Sequence, residues 1–234
     1  MYGQGPGHSA PTGATTGRSL LTRVVLPSLL VWLAVTGVGL LVTDVFGLDE
    51  GGANRAFVEV RTDRWDAITS FVSSMGNTQV LMATCAGIVL FLWWRSRQWW
   101  FAVVPALSLS IQVSIFLTAS MLVARERPAV EQLDQAAPTS SFPSGHTGAT
   151  TSVYLALALC ASRIQAAWLR VTVQLLCVAV AGGVALSRVY RGMHHPTDVL
   201  AGLMLGAACA FIAWNWLLRR TPASDSGVPE AISR

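Results

Sequence analysis

Lysine is absent from this 234-residue chain; all sixteen basic side chains are arginine. Charge of either sign is scarce. Asp, Glu, Lys and Arg together make up 12% of the residues, about half the share of a soluble domain. Such a chain could not cover a water-facing surface without large apolar patches, which excludes an ordinary soluble enzyme. The net charge of +4 is small and scattered, which argues against a nucleic-acid partner. Cysteine is also sparse. Cys85, Cys160, Cys177 and Cys209 lie inside apolar runs with no CxxC pair, so they read as small hydrophobes rather than a disulfide framework or metal site. What is abundant is apolar, at 53% of the chain, and the fold class that follows is all-α, a polytopic membrane protein.

The first seventeen residues hold seven Gly or Pro and no charge; with little to bury, residues 1–22 read as a disordered tail. Residues 220–234 are again polar and read as a second tail. Residues 23–219 form the membrane domain. Within it six uncharged apolar segments run roughly Val24–Thr43, Thr78–Trp94, Trp99–Ala124, Thr147–Ser162, Val171–Ser187 and Val199–Leu218. A spanning helix needs about 20 residues, so the fourth and fifth must borrow a turn from their flanks. Trp93, Trp94, Trp99 and Trp100 bracket Arg95 and Arg97, an aromatic belt at a tight connection on the membrane surface. In the loop from Phe46 to Asn77, the piece Phe57 to Met75 sets Trp65, Ile68 and Val72 at helical spacing, as in a helix lying at the interface.

Arginine without nearby acid occurs before the first segment, between the second and third, between the fourth and fifth, and after the sixth. If the spans alternate, these positions share one face, and the positive-inside rule makes it cytoplasmic. Both termini are then cytoplasmic, in a bacterial plasma membrane. The two polar clusters that remain fall on the extracytoplasmic face.

The first cluster reads Arg125-Glu126-Arg127-Pro128 and continues to Ser141-Phe142-Pro143-Ser144-Gly145-His146; the second runs from Ser187-Arg188 through His194-His195-Pro196-Thr197-Asp198. Singly, each piece has an ordinary explanation. Arginines snorkel to headgroups, Ser144 caps a helix, and Pro196 and Asp198 suit a first turn. Together they do not, because ionisable groups gathered at the mouth of a helical bundle are costly unless they serve a site. Arg127, Arg188 and Arg125 offer planar forks for phosphate oxygens. Ser144 and Gly145 open a helix, whose backbone N–H groups favour an anion. A neutral histidine is a competent nucleophile toward phosphorus, and a second can protonate the departing alkoxide. These are the parts of a phosphoryl-transfer site in which arginine meets the charge that magnesium often neutralises.

At these residues the chain resembles the type 2 phosphatidic-acid phosphatases, which share a site with bacterial acid phosphatases and vanadium haloperoxidases. That family carries KxxxxxxRP, PSGH and SRxxxxxHxxxD. Arg127-Pro128 match the end of the first, Pro143 to His146 the second in full, and Ser187-Arg188, His194 and Asp198 the third. The resemblance implies that His194 attacks phosphorus and becomes a phosphohistidine, oriented by Asp198. His146 protonates the leaving oxygen, then activates water. Arg127, Arg188, Ser144 and Gly145 hold the non-bridging oxygens. No metal or other cofactor is implied, and the partners are the bilayer and a lipid phosphate: phosphatidate, lysophosphatidate or a polyprenyl diphosphate such as undecaprenyl diphosphate. His195 is expected to be a neighbour rather than a participant.

One position departs from the family. Ser120 stands where the first motif has lysine. Pro128 keeps the preceding residue extended, and residues two apart on an extended segment face the same way. Arg125 is therefore expected to join Arg127 at the phosphate and replace the missing charge. Two alternatives to a hydrolase stay open: a phosphotransferase that uses the same residues with another acceptor, and a non-catalytic membrane binder or transporter that keeps the site's shape.

Overall fold

The computed structural model describes residues 20–46, 50–136 and 138–218, with backbone alone for 44–46 and 217–218. The expected tails lie outside these residues except at 20–22, which are already helical. The first helix, α1, covers 21–46. It is α-helical over Leu26–Leu40, with π-helical turns Leu21–Val25 and Leu41–Phe46 at its ends. Then follow α2 (Gly51–Glu59), α3 (Asp63–Ser74), α4 (Thr78–Ser96), the single turn α5 (Trp99–Ala102), α6 (Val104–Val123), α7 (Gly145–Ala161), α8 (Ala167–Tyr190) and α9 (Pro196–Leu218). No strand occurs among the described residues.

Five stretches are long and apolar enough to cross a membrane: Leu21–Thr43, Thr78–Ser96, Val104–Val123, Ala167–Tyr190 and Pro196–Trp216. The remaining apolar segment, the fourth, is α7, at 17 residues. It is the hub, packed against α6, α8 and α9, so protein rather than lipid surrounds most of it. The fifth segment is longer than its apolar run, 24 residues, because it takes in Arg170 and Arg188. Arg170 reaches the Ile164 carbonyl, and Arg188 finds polar partners at the other end. A charge at a helix end is tolerable when it is so paired.

Helices α7 and α9 meet almost backbone to backbone. A Cβ placed on Gly202 would lie 2.7 Å from the Ser144 carbonyl oxygen, and one on Gly206 would lie 2.5 Å from that of Gly148. Small residues four apart thus set the distance between the helices, which fixes the start of α7 beside the start of α9.

The piece expected as one amphipathic helix is two. Thr62 is extended and accepts a hydrogen bond from the Trp65 N–H, capping α3 and ending α2 behind it. The sidedness of α3 is inverted relative to a soluble helix. Thr69 and Ser73 are buried, whereas Trp65, Ile68 and Phe71 are exposed, as suits a helix at a lipid interface. Its buried face rests on α8, where Asp66 accepts from the Tyr190 hydroxyl and Arg191 donates to the Asp66 carbonyl and to Thr69.

Candidate active site

The loops 124–144 and 191–195 and the N-termini of α7 and α9 converge at one end of the bundle. They bring His146, His194, Arg127 and Arg188 to the wall of one cavity of about 760 Å³. Polar groups line one end. The remainder runs between α4, α6 and α7, past Leu81, Leu109, Val113 and Leu117.

His194 lies in the loop before α9 and is buried. Its Nδ1 is 2.7 Å from the Ser141 carbonyl oxygen. A carbonyl only accepts, so Nδ1 carries the proton and Nε2 keeps the lone pair. Burial, and next the charge of Arg188, lower its pKa from the usual 6.5 to about 3. The imidazole is thus neutral across the physiological range, the form a nucleophile needs.

Asp198 acts one step removed from where the sequence puts it. Its Oδ2 is 3.9 Å from His194 Nδ1, beyond hydrogen-bond reach. The carboxylate accepts from the Ser141 hydroxyl, the His195 backbone N–H and Arg125. Asp198 therefore holds Ser141, and the Ser141 carbonyl orients His194. His195 Nδ1 also approaches Asp198, at 3.3 Å, and His195 lines a separate polar cavity with Glu50 and Arg55. Its place is beside His194.

Arg125 does not join Arg127. Its Nη1 donates to Asp198 and Thr197, and its Nη2 to Glu50 at 3.0 Å. It lines the cavity on the His195 side and not the one holding His194. The segment 124–128 has no regular structure, and the carboxylates of Glu50 and Asp198 take up both ends of the Arg125 fork. Ser120, the lysine substitute, bonds the Leu117 carbonyl of its own helix.

Arg127 donates to the Met193 carbonyl at 2.8 Å and the Thr139 carbonyl at 3.4 Å. Burial lowers its pKa, opposed by the charge of Asp198. Arg188 donates through Nη1 to Ser73 and to Asp134, while its buried Nε has no partner. Arg188 lines the cavity, where its charge favours an anion. Ser144 departs from expectation as well. Its backbone N–H goes to the Asp198 carbonyl and its hydroxyl pairs with Thr147, so it builds the α7–α9 junction rather than facing an anion. Gly145 does line the cavity, and a Cβ there would strike the Phe116 ring at 2.7 Å.

Sequence reasoning missed Asp134, Ser73, Ser141, Glu50 and Gly76. Asp134 accepts from Arg188 and from both Nε and Nη2 of Arg191. Burial works against its charge, but the two arginines prevail and hold its carboxyl below the usual range. Ser73 anchors Arg188 from α3, and Gly76 packs against His146, where a Cβ would come within 3.3 Å of the ring. Only Asp134 carried a usable signal, as a carboxylate inside an arginine-rich loop. The others are ordinary residues made relevant by packing. Among the described residues no three His, Cys, Asp or Glu side chains are grouped as metal ligands.

The family described as the PAP2 superfamily matches residues 106–222. An Escherichia coli protein provisionally named undecaprenyl-diphosphatase is 32% identical over 55% of this chain and 64% of its own length. A decaprenylphosphoryl-5-phosphoribose phosphatase of Mycobacterium tuberculosis is 31% identical over 50% of this chain and 60% of its own. The chain thus spans less than two thirds of these relatives. The crystal structure of a transmembrane PAP2-type phosphatidylglycerolphosphate phosphatase from Bacillus subtilis superposes with a TM-score of 0.70 at 21% identity, over 82% of this chain and 94% of that one. At that identity the likeness shows the fold.

Proposed function

The chain belongs to the PAP2 superfamily, and from that premise we propose that it is a metal-independent lipid phosphatase working at the extracytoplasmic face of the membrane. One observation carries the reading: a neutral buried histidine shares a cavity with two arginines and a second histidine, and that cavity continues as an apolar passage between membrane helices. A phosphate at the polar end leaves its lipid arm to follow the passage. The distribution of arginine supports the extracytoplasmic side.

In the reaction, His194 Nε2 attacks phosphorus as the bond to the lipid oxygen breaks. The electron pair stays with that oxygen, which takes a proton from His146; burial, and next the charge of Arg188, lower the pKa of that group to about 4, and the anionic phosphate beside it favours the protonated form the step uses. Arg127 and Arg188 meet the charge on the non-bridging oxygens, the electrostatic contribution that dominates such catalysis. Water then attacks the phosphohistidine and gives its proton back to His146; inorganic phosphate leaves. Asp134 and Ser73 hold Arg188 in place, and Ser141 and Asp198 hold His194. The two relatives are named for polyprenyl lipid phosphates and the solved structure for a phosphatidylglycerolphosphate, and either chemistry fits this step.

The test is phosphate release from a panel of lipid phosphates by purified protein in detergent. Activity should persist in excess chelator and vanish in His194→Ala. A strict need for a divalent cation, or turnover by His194→Ala, would refute the proposal.

A further inference from the structure

Resting on the phosphatase reading above, we infer that Asp134 is a fixed counter-charge at the phosphate site, held by Arg191 so that inorganic phosphate binds without being retained. Asp134 lies in the loop before α7, and its Oδ2 accepts from Arg188 Nη1 at 2.7 Å. The same oxygen accepts from Arg191 Nε at 2.9 Å, and Oδ1 accepts from Arg191 Nη2 at 2.7 Å. Arg191 thus grips the carboxylate with two parallel bonds and turns one of its oxygens toward Arg188, which lines the cavity that holds His194. Neither Asp134 nor Arg191 falls on a specified position of the three motifs.

The loop that carries the carboxylate is tied down on both sides of it. The Leu133 N–H donates to the Arg191 carbonyl at 3.1 Å, and Arg191 Nη2 donates to the Leu133 carbonyl at 3.0 Å. Arg61 donates to the Glu131 carbonyl at 2.9 Å. On the facing turn Gly192 has a φ of 71°, and a Cβ there would lie 2.7 Å from the Glu131 carbonyl oxygen, so only glycine lets the turn and the loop meet. Arg191 itself is buried and is anchored to α3 through the Asp66 carbonyl and Thr69. Asp134 is therefore a resident charge, not one that swings aside when an anion arrives.

That charge reaches the cavity wall. At His146 it opposes Arg188 and Arg127, raising the pKa that the two arginines lower. A phosphate in the cavity meets the same three charges with the opposite sign: Arg127 and Arg188 attract it, and Asp134 repels it. Attraction that acts alike on substrate, transition state and product lowers KM without raising kcat, and it slows the departure of the product. Arginines alone would hold a divalent anion in that way. Asp134 offsets part of the attraction while keeping Arg188 where the reaction needs it. With 29% of its side chain exposed, the carboxylate is partly screened by water. Removing its charge is then worth about tenfold in phosphate affinity, not the far larger change of a dry interior.

The experiment measures inorganic phosphate as a competitive inhibitor of lipid phosphate hydrolysis by the full chain in detergent, followed through the lipid alcohol released. Calorimetric titration with phosphate replaces it for any variant too slow to assay. Asp134→Asn keeps the shape and one acceptor oxygen but not the charge, and should bind phosphate about tenfold more tightly than wild type. Arg191→Gln removes a positive charge and should bind it more weakly by a similar factor. The double variant restores the wild-type charge, so its constant should return to within about twofold of wild type. Damage to the loop would weaken binding in all three, so shifts of opposite sign that cancel separate charge from packing. Asp134→Asn binding phosphate no more tightly than wild type, or a double variant that does not return, overturns the inference while leaving the phosphatase reading standing. Asp134→Ser, neutral and smaller, decides the same question if Asp134→Asn fails to fold. A wild type that hydrolyses no lipid phosphate overturns the phosphatase reading, and the inference with it.

Discussion

Replacing Arg125 by alanine separates two roles that the same residue could play. Were it a phosphate ligand, its loss would appear in substrate handling and leave the fold intact. The structure instead places it between two carboxylates, donating to fully buried Asp198 and to Glu50 while also holding Thr197. Removing the guanidinium leaves Asp198 charged in the protein interior, with the Ser141 hydroxyl, the His195 N–H and the His195 ring for compensation. Breaking one side of a buried pair costs about 3–5 kcal/mol. For a chain of this size each kcal/mol is worth roughly 2–4 °C in Tm, so the melting temperature in detergent should fall by on the order of 10 °C. The KM of the protein that remains folded should stay near the wild-type value, since Arg125 does not line the cavity that holds His194. Arg125→Lys should recover part of the lost stability and not all, because an ammonium lacks the fork that spans Glu50 and Asp198. Thermal unfolding followed by tryptophan fluorescence, with phosphate release at several lipid concentrations, measures both quantities. An Arg125→Ala protein with unchanged Tm and a raised KM would refute the placement and return Arg125 to the phosphate.

Further outcomes follow from the same contacts. His194→Ala should remove phosphate release by several orders of magnitude, since the proposed reaction loses its nucleophile, with Tm close to wild type. Asp198→Asn should cost both activity and stability, but less activity than His194→Ala, because the Ser141 carbonyl still orients the imidazole; equal losses in a kcat comparison would contradict that order. Gly206→Ala should lower stability by about 1–3 kcal/mol, seen as a lower Tm, since its methyl meets the Gly148 backbone and the helices must part to admit it; an unchanged melting curve would refute the close approach. The pH dependence has a definite sign. The unfolded chain protonates residue 194 near the ordinary value of 6.5, whereas the folded chain resists down to about 3. The unfolded state therefore binds the extra proton in that window, and stability falls as pH drops below about 6.5. Melting curves from pH 7 to pH 4 should show a shallower decline in His194→Asn than in the wild type.

The sequence conveyed the fold to the extent that composition and periodicity decide it. The apolar runs became helices, and the three clustered motifs became one end of a bundle, because chain connectivity returns each to the same face. It also conveyed the residues whose chemistry is rare in a membrane, His146, His194, Arg127 and Arg188, since such residues stand out from an apolar background wherever they pack. What could not be read was pairing. Arg125 and Arg127 look alike along an extended segment, and what separates them is a carboxylate from residue 50 and another from residue 198, both distant in the chain. Ser141, Ser73 and Gly76 are common residue types whose role exists only through a neighbour, so no local pattern marks them.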